Sequence, residues 1–186
     1  QGAAMGAATD ARRPYFYQLG AHSTLFALST TDLKCAEAYF LGHPEGAIAA
    51  SPVCAGGQIF IAVNEGADYA MVHVVSTDSE GLSLSKTFDP VRVKGHVVTP
   101  PLVDGRRVYV FTNLGGVHVF DIDPANTTQP VQELTRLIPT RKTPLVGYAT
   151  VREGKLWLGD ERLTMYELQP ARKELTRRWS RYEGEI

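Results

Sequence analysis

The chain has 186 residues, 44% of them hydrophobic and 21% charged, with a formal net charge of −1. This composition excludes a wholly disordered chain, and the balanced charge gives no electrostatic case for nucleic-acid binding. No apolar run approaches the roughly 20 residues that a membrane-spanning helix needs, and the length suits one ordinary domain or part of a larger one.

Residues 1–13 are rich in Ala and Gly and show no strand pattern; they read as an N-terminal segment or, at Gln1-Gly2, a tag remnant. The first patterned unit holds Tyr15-Phe16-Tyr17, a turn at Gln18-Leu19-Gly20, a strand near 24–28 and a more polar segment near 35–41. A fuller unit then opens at Ser51-Pro52-Val53 and turns at Gly56-Gly57. It continues through Ile59-Phe60-Ile61, a turn at Asn64-Glu65-Gly66, a strand near 71–75 and a closing segment near 82–88. The same order recurs over residues 99–137 around Val108-Tyr109-Val110, and over residues 148–179 around Leu156-Trp157-Leu158. The three aliphatic-aromatic-aliphatic triplets stand 49 and 48 residues apart, and Tyr15-Phe16-Tyr17 lies 44 residues before the first.

The segments run four to eight residues and favour β-branched and aromatic types, which marks strands. Glycines fall where short hairpins need positive φ, and Pro52 and Pro100 stand at strand starts, where a missing N–H donor is tolerated. Helix candidates are confined to the Ala-rich start and a short stretch near 171–174. Four consecutive antiparallel strands per 48 residues or so make one propeller blade. The chain therefore reads as all-β, with about four blades near 14–45, 46–94, 95–143 and 144–182. Three are full and the first is partial, lacking its opening strand.

Chemistry-bearing residues are sparse. Cys35 and Cys54 lie in no metal spacing and read as two small buried hydrophobes, with a disulfide between them left open. His73 and His118 occupy matching places in the third strands of neighbouring units. A shared metal site is one reading of them, and two repeat-related strand residues the favoured one. Asp121 and Asp123, ahead of Pro124, read as strand end and turn. Arg172, Lys173, Arg177, Arg178 and Arg181 form a basic cluster that reads as a solvated outer edge, where charge resists unwanted strand pairing. No catalytic, cofactor-binding or metal-ligating set stands out.

The pattern of small residue-Pro-aliphatic, Gly turn, aromatic triplet and second Gly turn resembles the pyrroloquinoline-quinone-type β-propeller repeat. It is carried by Ser51-Pro52-Val53, Gly57 and Ile59-Phe60-Ile61. It is carried again by Thr99-Pro100, Gly105, Val108-Tyr109-Val110 and Gly116-Val117-His118-Val119-Phe120-Asp121, while Phe26-Ala27-Leu28 matches the "yAL" portion. The resemblance spans about residues 14–180, and Trp179 stands where the family places a docking tryptophan. It implies a ring of more than four blades, so the chain is expected to be part of a larger propeller. Pairing of two chains and closure at four blades are the other arrangements that would cover the terminal faces. The enzymatic members carry adjacent cysteines and an acidic calcium site, which this chain lacks. The expected function is a non-enzymatic module that binds or scaffolds protein partners, with no cofactor. The alternative is a partial domain of a quinoprotein-type dehydrogenase whose catalytic site lies outside this segment. Analogy with non-catalytic bacterial members implies a periplasmic or cell-envelope setting. The loops expected to meet a partner join second to third strands: Asn64, Glu65 and Asp68; Asn113 and Leu114; Asp160, Glu161 and Arg162.

Overall fold

Alternating apolar positions punctuated by glycine fold into seventeen strands, seen in a computed structural model that describes residues 6–10, 12–22 and 24–182. Blade 1 joins β1 (Ala8–Thr9), β2 (Tyr15–Leu19), β3 (Thr24–Ser29) and β4 (Cys35–Phe40). Blade 2 joins β5 (Val53–Ala55), β6 (Gln58–Glu65) and β7 (Tyr69–Ser76), and its fourth place is shared by β8 (Ser85–Lys86) and β9 (Val91–Lys94), both paired with β7. Blade 3 holds β10 (Leu102–Asp104), β11 (Arg107–Phe111), β12 (Val117–Ile122) and β13 (Val131–Leu137). Blade 4 holds β14 (Tyr148–Arg152), β15 (Lys155–Gly159), β16 (Arg162–Gln169) and β17 (Glu174–Tyr182). Within each sheet the strands run antiparallel in chain order, as a meander, except that β9 pairs with β7 and not with β8.

The turns explain the glycines. Gly56 and Gly57 both take positive φ, 55° and 77°, between β5 and β6, a backbone that glycine enters without steric cost. The matching turn of blade 4 carries Glu153 at φ 53° beside Gly154 at 74°. The helix candidate near 171–174 is a single 3-10 turn, Pro170–Arg172.

Two features differ from the sequence reading. Ala8–Thr9, inside the segment set aside as outside the fold, pairs with β2 and supplies the opening strand that the first blade was expected to lack. It is too short to show alternation. Val91–Lys94 was not read as a strand because Asp89-Pro90 interrupts the pattern just before it. The tag remnant at Gln1-Gly2, the rest of residues 1–5 and residue 11 lie outside the described residues.

The core consists of three layers, one between each pair of successive blades. Tyr17, Leu25, Ile59, Ile61 and Val75 fill the first. Phe60, Val72, Val108, Val110 and Phe120 fill the second, where the rings of Phe60 and Phe120 meet tilted by 54° at 5.6 Å between centroids. Tyr109, Val119, Leu156 and Leu168 fill the third. Strand alternation sends one side chain back to the preceding blade and the next forward to the following one. The forward aromatic position of each second strand is Tyr17, Phe60, Tyr109 and Trp157, set by pairing with Ala8, Val53, Leu102 and Thr150. Tyr17, not the central Phe16 of its triplet, is therefore the blade 1 counterpart, and the one-residue shift turns Phe16 to the opposite face. The opening strands β1, β5, β10 and β14 touch in succession and line the inner side of the arc, leaving the fourth strands at its rim.

Candidate functional site

Antiparallel order places the loops joining second to third strands at the same end of the molecule as the connectors between blades. At that end the chain binds itself. Asn64 N–H donates to the carbonyl of Ala47 in the connector before blade 2. Its side chain accepts from Val97 N–H at 2.8 Å and donates to Val97 O at 3.0 Å in the connector after it. Asn113, 49 residues on, repeats the clasp: its N–H donates to His96 O at 2.8 Å, and its Oδ1 accepts from His96 N–H at 2.9 Å. Its carbonyl accepts from Leu145 N–H in the next connector. At the matching place in blade 4, Asp160 binds Arg141 of the same connector as an ion pair. Three of the loop residues singled out in the sequence thus hold connectors, which gives this end a rigid floor.

Between blades 2 and 3 that floor opens into a cleft made of two cavities, of about 490 and 390 Å³, which share Asp68 and Lys94. Arg92, Lys94, Arg136, Arg141 and Lys142 line it, against one lining carboxylate, Asp68. Among the described residues Arg92, Lys94 and Lys142 have no carboxylate within ion-pair distance, while the Arg92 guanidinium lies 4.0 Å over the centre of the Tyr69 ring. His96 also lines the cleft, and its buried Nε2 meets no hydrogen-bond partner among the described residues. His118, almost fully buried, faces the cleft with Nδ1 2.7 Å from Glu133 Oε1. Burial holds its imidazole below the ordinary pKa despite the opposing pull of Glu133. His73 lines the corresponding smaller groove between blades 1 and 2, beside Tyr39, Leu41 and Lys86, and burial lowers its pKa as well. The two histidines therefore occupy successive grooves, as repeat-related strand residues do. Among the described residues no group of three or more His, Cys, Asp or Glu side chains is placed to hold a metal ion.

The remaining sequence candidates are dispersed. Asp68, Asn113 and Leu114 line the cleft, with Leu114 buried. Asn64 and Glu65 do not line it, and Asp160 borders a separate cavity between blades 3 and 4 beside Arg141 and Tyr148. Glu161 and Arg162 are exposed at the blade 4 loop. Sequence reasoning missed the cations of the cleft, although Val91-Arg92-Val93-Lys94 alternates apolar with basic residues and is a legible strand with one charged face. The basic cluster of Arg172, Lys173, Arg177, Arg178 and Arg181 is exposed at the outer strand of blade 4, as expected. Asp121 lies at the end of β12 and Asp123 in the turn after it, as read from the sequence; Asp121 is also buried, gripped by Arg106 at 3.0 and 2.6 Å and approached by Arg107 at 3.5 Å. Both cysteines are free, and Cys35 is exposed, contrary to its reading as a buried hydrophobe, because β4 is the rim strand of blade 1. Cys54 is partly buried, and burial, reinforced by Asp10 and opposed by Arg13, pushes its thiol up to about 12.

Four four-stranded meanders packed face to face with their opening strands inward define a propeller-type all-β protein. Consistent with that class, the chain is similar to the crystal structure of BamB from Moraxella catarrhalis, with a TM-score of 0.66 at 12% sequence identity. The match covers 96% of this chain and 48% of that one, so the chain spans about half the length of its structural neighbour. No protein-family model and no curated protein matches the chain in sequence.

Proposed function

We propose that this chain is a non-enzymatic propeller segment of the pyrroloquinoline-quinone-type repeat family that binds or scaffolds protein partners in a bacterial envelope setting. The repeat segments and the likeness to BamB support the family reading, and the cleft between blades 2 and 3 carries the binding reading. Three cations without carboxylate partners, Arg92, Lys94 and Lys142, stand over a floor locked by Asn64 and Asn113. Such a preorganised basic groove suits an acidic, extended segment of a partner protein, because electrostatic complementarity steers encounter and fixed loops lower the ordering cost. Asp68, Asn113 and Leu114 line the groove, whereas Asp160, Glu161 and Arg162 lie apart from it at the blade 4 loop.

The test is calorimetric titration with a glutamate-rich peptide at low and at physiological salt. The expected result is saturable binding that weakens with salt and falls by roughly tenfold or more in Lys94→Glu and Lys142→Glu variants. Equal binding by the wild-type chain and both variants would place the partner surface elsewhere.

A further inference from the structure

Beside the basic cleft, blades 3 and 4 leave a small cavity of about 40 Å³ at the connector end. It adjoins the cleft, because Asn113 and Arg141 line both. Its walls are of a different kind: Val98, Phe111, Val117, Leu145 and Leu158 supply apolar surface. The polar groups among them have partners within the protein. The Thr112 hydroxyl accepts from Gly116 N–H at 3.0 Å, Asn113 closes its clasp on His96, and Arg141 pairs with Asp160. The cations of the cleft therefore end at a neutralised Arg141, and an apolar recess begins there. Two lining glycines keep the recess open. Neither Gly147 nor Gly159 takes a left-handed φ, so the backbone does not call for glycine at either place. A Cβ on Gly147 would meet Gly159 O at 3.5 Å and Asp160 Cβ at 3.7 Å, and one on Gly159 would meet Tyr148 O at 3.8 Å, all ordinary contacts. Gly159 ends β15 in regular pairing with Tyr148 and Leu163, with no bulge. Glycine in a strand is costly, and away from bulges and bends it marks a place that another group approaches closely. The other two lining glycines have local reasons: Gly115 has φ 82°, and a Cβ on Gly116 would collide with Thr112 and Pro139 at 2.8 and 2.9 Å.

We propose that this recess receives a short aliphatic side chain, of the size of valine, that flanks the acidic run of the partner segment. The inference rests on the reading of the cleft as the seat of that acidic segment. Continuity and charge select the occupant. Carboxylates of the segment face Arg92, Lys94 and Lys142, and the next residue past Arg141 meets apolar walls and a cation already paired. Size selects the side chain: an aromatic ring needs a cavity on the order of 150 Å³, whereas about 40 Å³ suits a few aliphatic carbons. An apolar anchor in a fixed pocket then sets the register of a segment that charge alone would let slide.

The experiment is calorimetric titration with end-blocked hexaglutamate, with the same peptide carrying valine at its N-terminal or its C-terminal end, and with threonine in place of each valine. One of the two valine peptides is expected to bind roughly tenfold tighter than hexaglutamate, and its end gives the direction in which the segment runs. Threonine has the shape of valine but brings a hydroxyl that the apolar walls leave unpaired, so its peptide is expected to lose that gain. The gain is also expected to vanish in Gly147→Leu, checked for native β circular dichroism, whose side chain fills the recess. The threonine comparison decides the matter without any change to the protein. Hexaglutamate binding with no gain from either valine overturns this inference and leaves the cleft reading standing. A gain that threonine keeps, or that survives in folded Gly147→Leu, also overturns it, since the side chain would then sit elsewhere. Absence of hexaglutamate binding overturns the cleft reading and this inference with it.

Discussion

Tyr17 and Tyr109 hold equivalent positions in blades 1 and 3, and both are fully buried. Their hydroxyls differ. Tyr17 O–H donates to the buried carbonyl of Gly81 at 2.9 Å, whereas Tyr109 O–H is buried with no partner among the described residues. Burial, aided by Asp104 and Asp121 and opposed by Arg107, pushes the Tyr109 phenol up to about 12. Replacing either by phenylalanine keeps the ring and removes one oxygen. Tyr17→Phe deletes a hydrogen bond and leaves a buried carbonyl unpaired, which costs about 1–2 kcal/mol. Tyr109→Phe removes a hydroxyl that was desolvated without compensation, which stabilises by about 1 kcal/mol. For a chain of this size each kcal/mol moves Tm by about 2–4 °C. The first variant should therefore melt about 2–8 °C lower than wild type and the second about 2–4 °C higher, followed by circular dichroism at pH 7. Equal losses in the two variants would show that the Tyr109 hydroxyl is bonded and that the accounting of buried polar groups at the blade 3–4 layer is wrong.

Asn64→Ala and Asn113→Ala remove clasps at the connector end, and each should lower stability by about 1–3 kcal/mol in urea unfolding, whereas Glu161→Ala should change it by less than about 0.5 kcal/mol. The folded state depresses the pKa of His73 and His118, so it binds fewer protons than the unfolded chain. Stability is then full above the ordinary imidazole pKa of about 6.5 and falls as pH drops from there toward the folded values. His118→Gln should flatten that slope in a pH series of melts; an unchanged slope would assign it to His73 instead. In the native chain at pH 8, Cys35 should react with iodoacetamide while Cys54 stays unlabelled, as read by peptide mass spectrometry. Comparable labelling of both would mean that β5 is less well covered than its packing implies.

The repeat was legible because burial on both faces of an inner blade forces near-continuous apolar strands, and Ile59-Phe60-Ile61 and Val108-Tyr109-Val110 show it plainly. The fourth strand of blade 3, Val131–Leu137, and the third, Val117–Ile122, fall where the pattern places them. What escaped notice has local causes. Ala8–Thr9 makes only two residue pairs, and a two-residue strand has no period to detect. Asn64 and Asn113 carry a 49-residue echo visible in the sequence, yet a loop asparagine reads equally as a surface contact or an internal clasp until its partners are placed. The basic cleft was illegible for a different reason: its lining comes from residues 67 to 144, from two blades and two connectors. No linear motif encodes a juxtaposition made by packing.

The clasps make the two ends of the arc unequal as sites for engineering. At the connector end Asn64 and Asn113 each join the connectors on both sides of their blade, so an insertion there pulls on two blade junctions at once. At the opposite end the hairpin at Gly56-Gly57 closes on its own blade and the loop over 123–130 is held by Asp123 and Asn126 within itself, while the Glu153-Gly154 hairpin reaches the neighbouring blade through one bond, Gly154 N–H to Asp104 Oδ2 at 2.7 Å. Foreign segments, permuted termini and fused domains belong on that second end, where chain length can grow without loosening the stack.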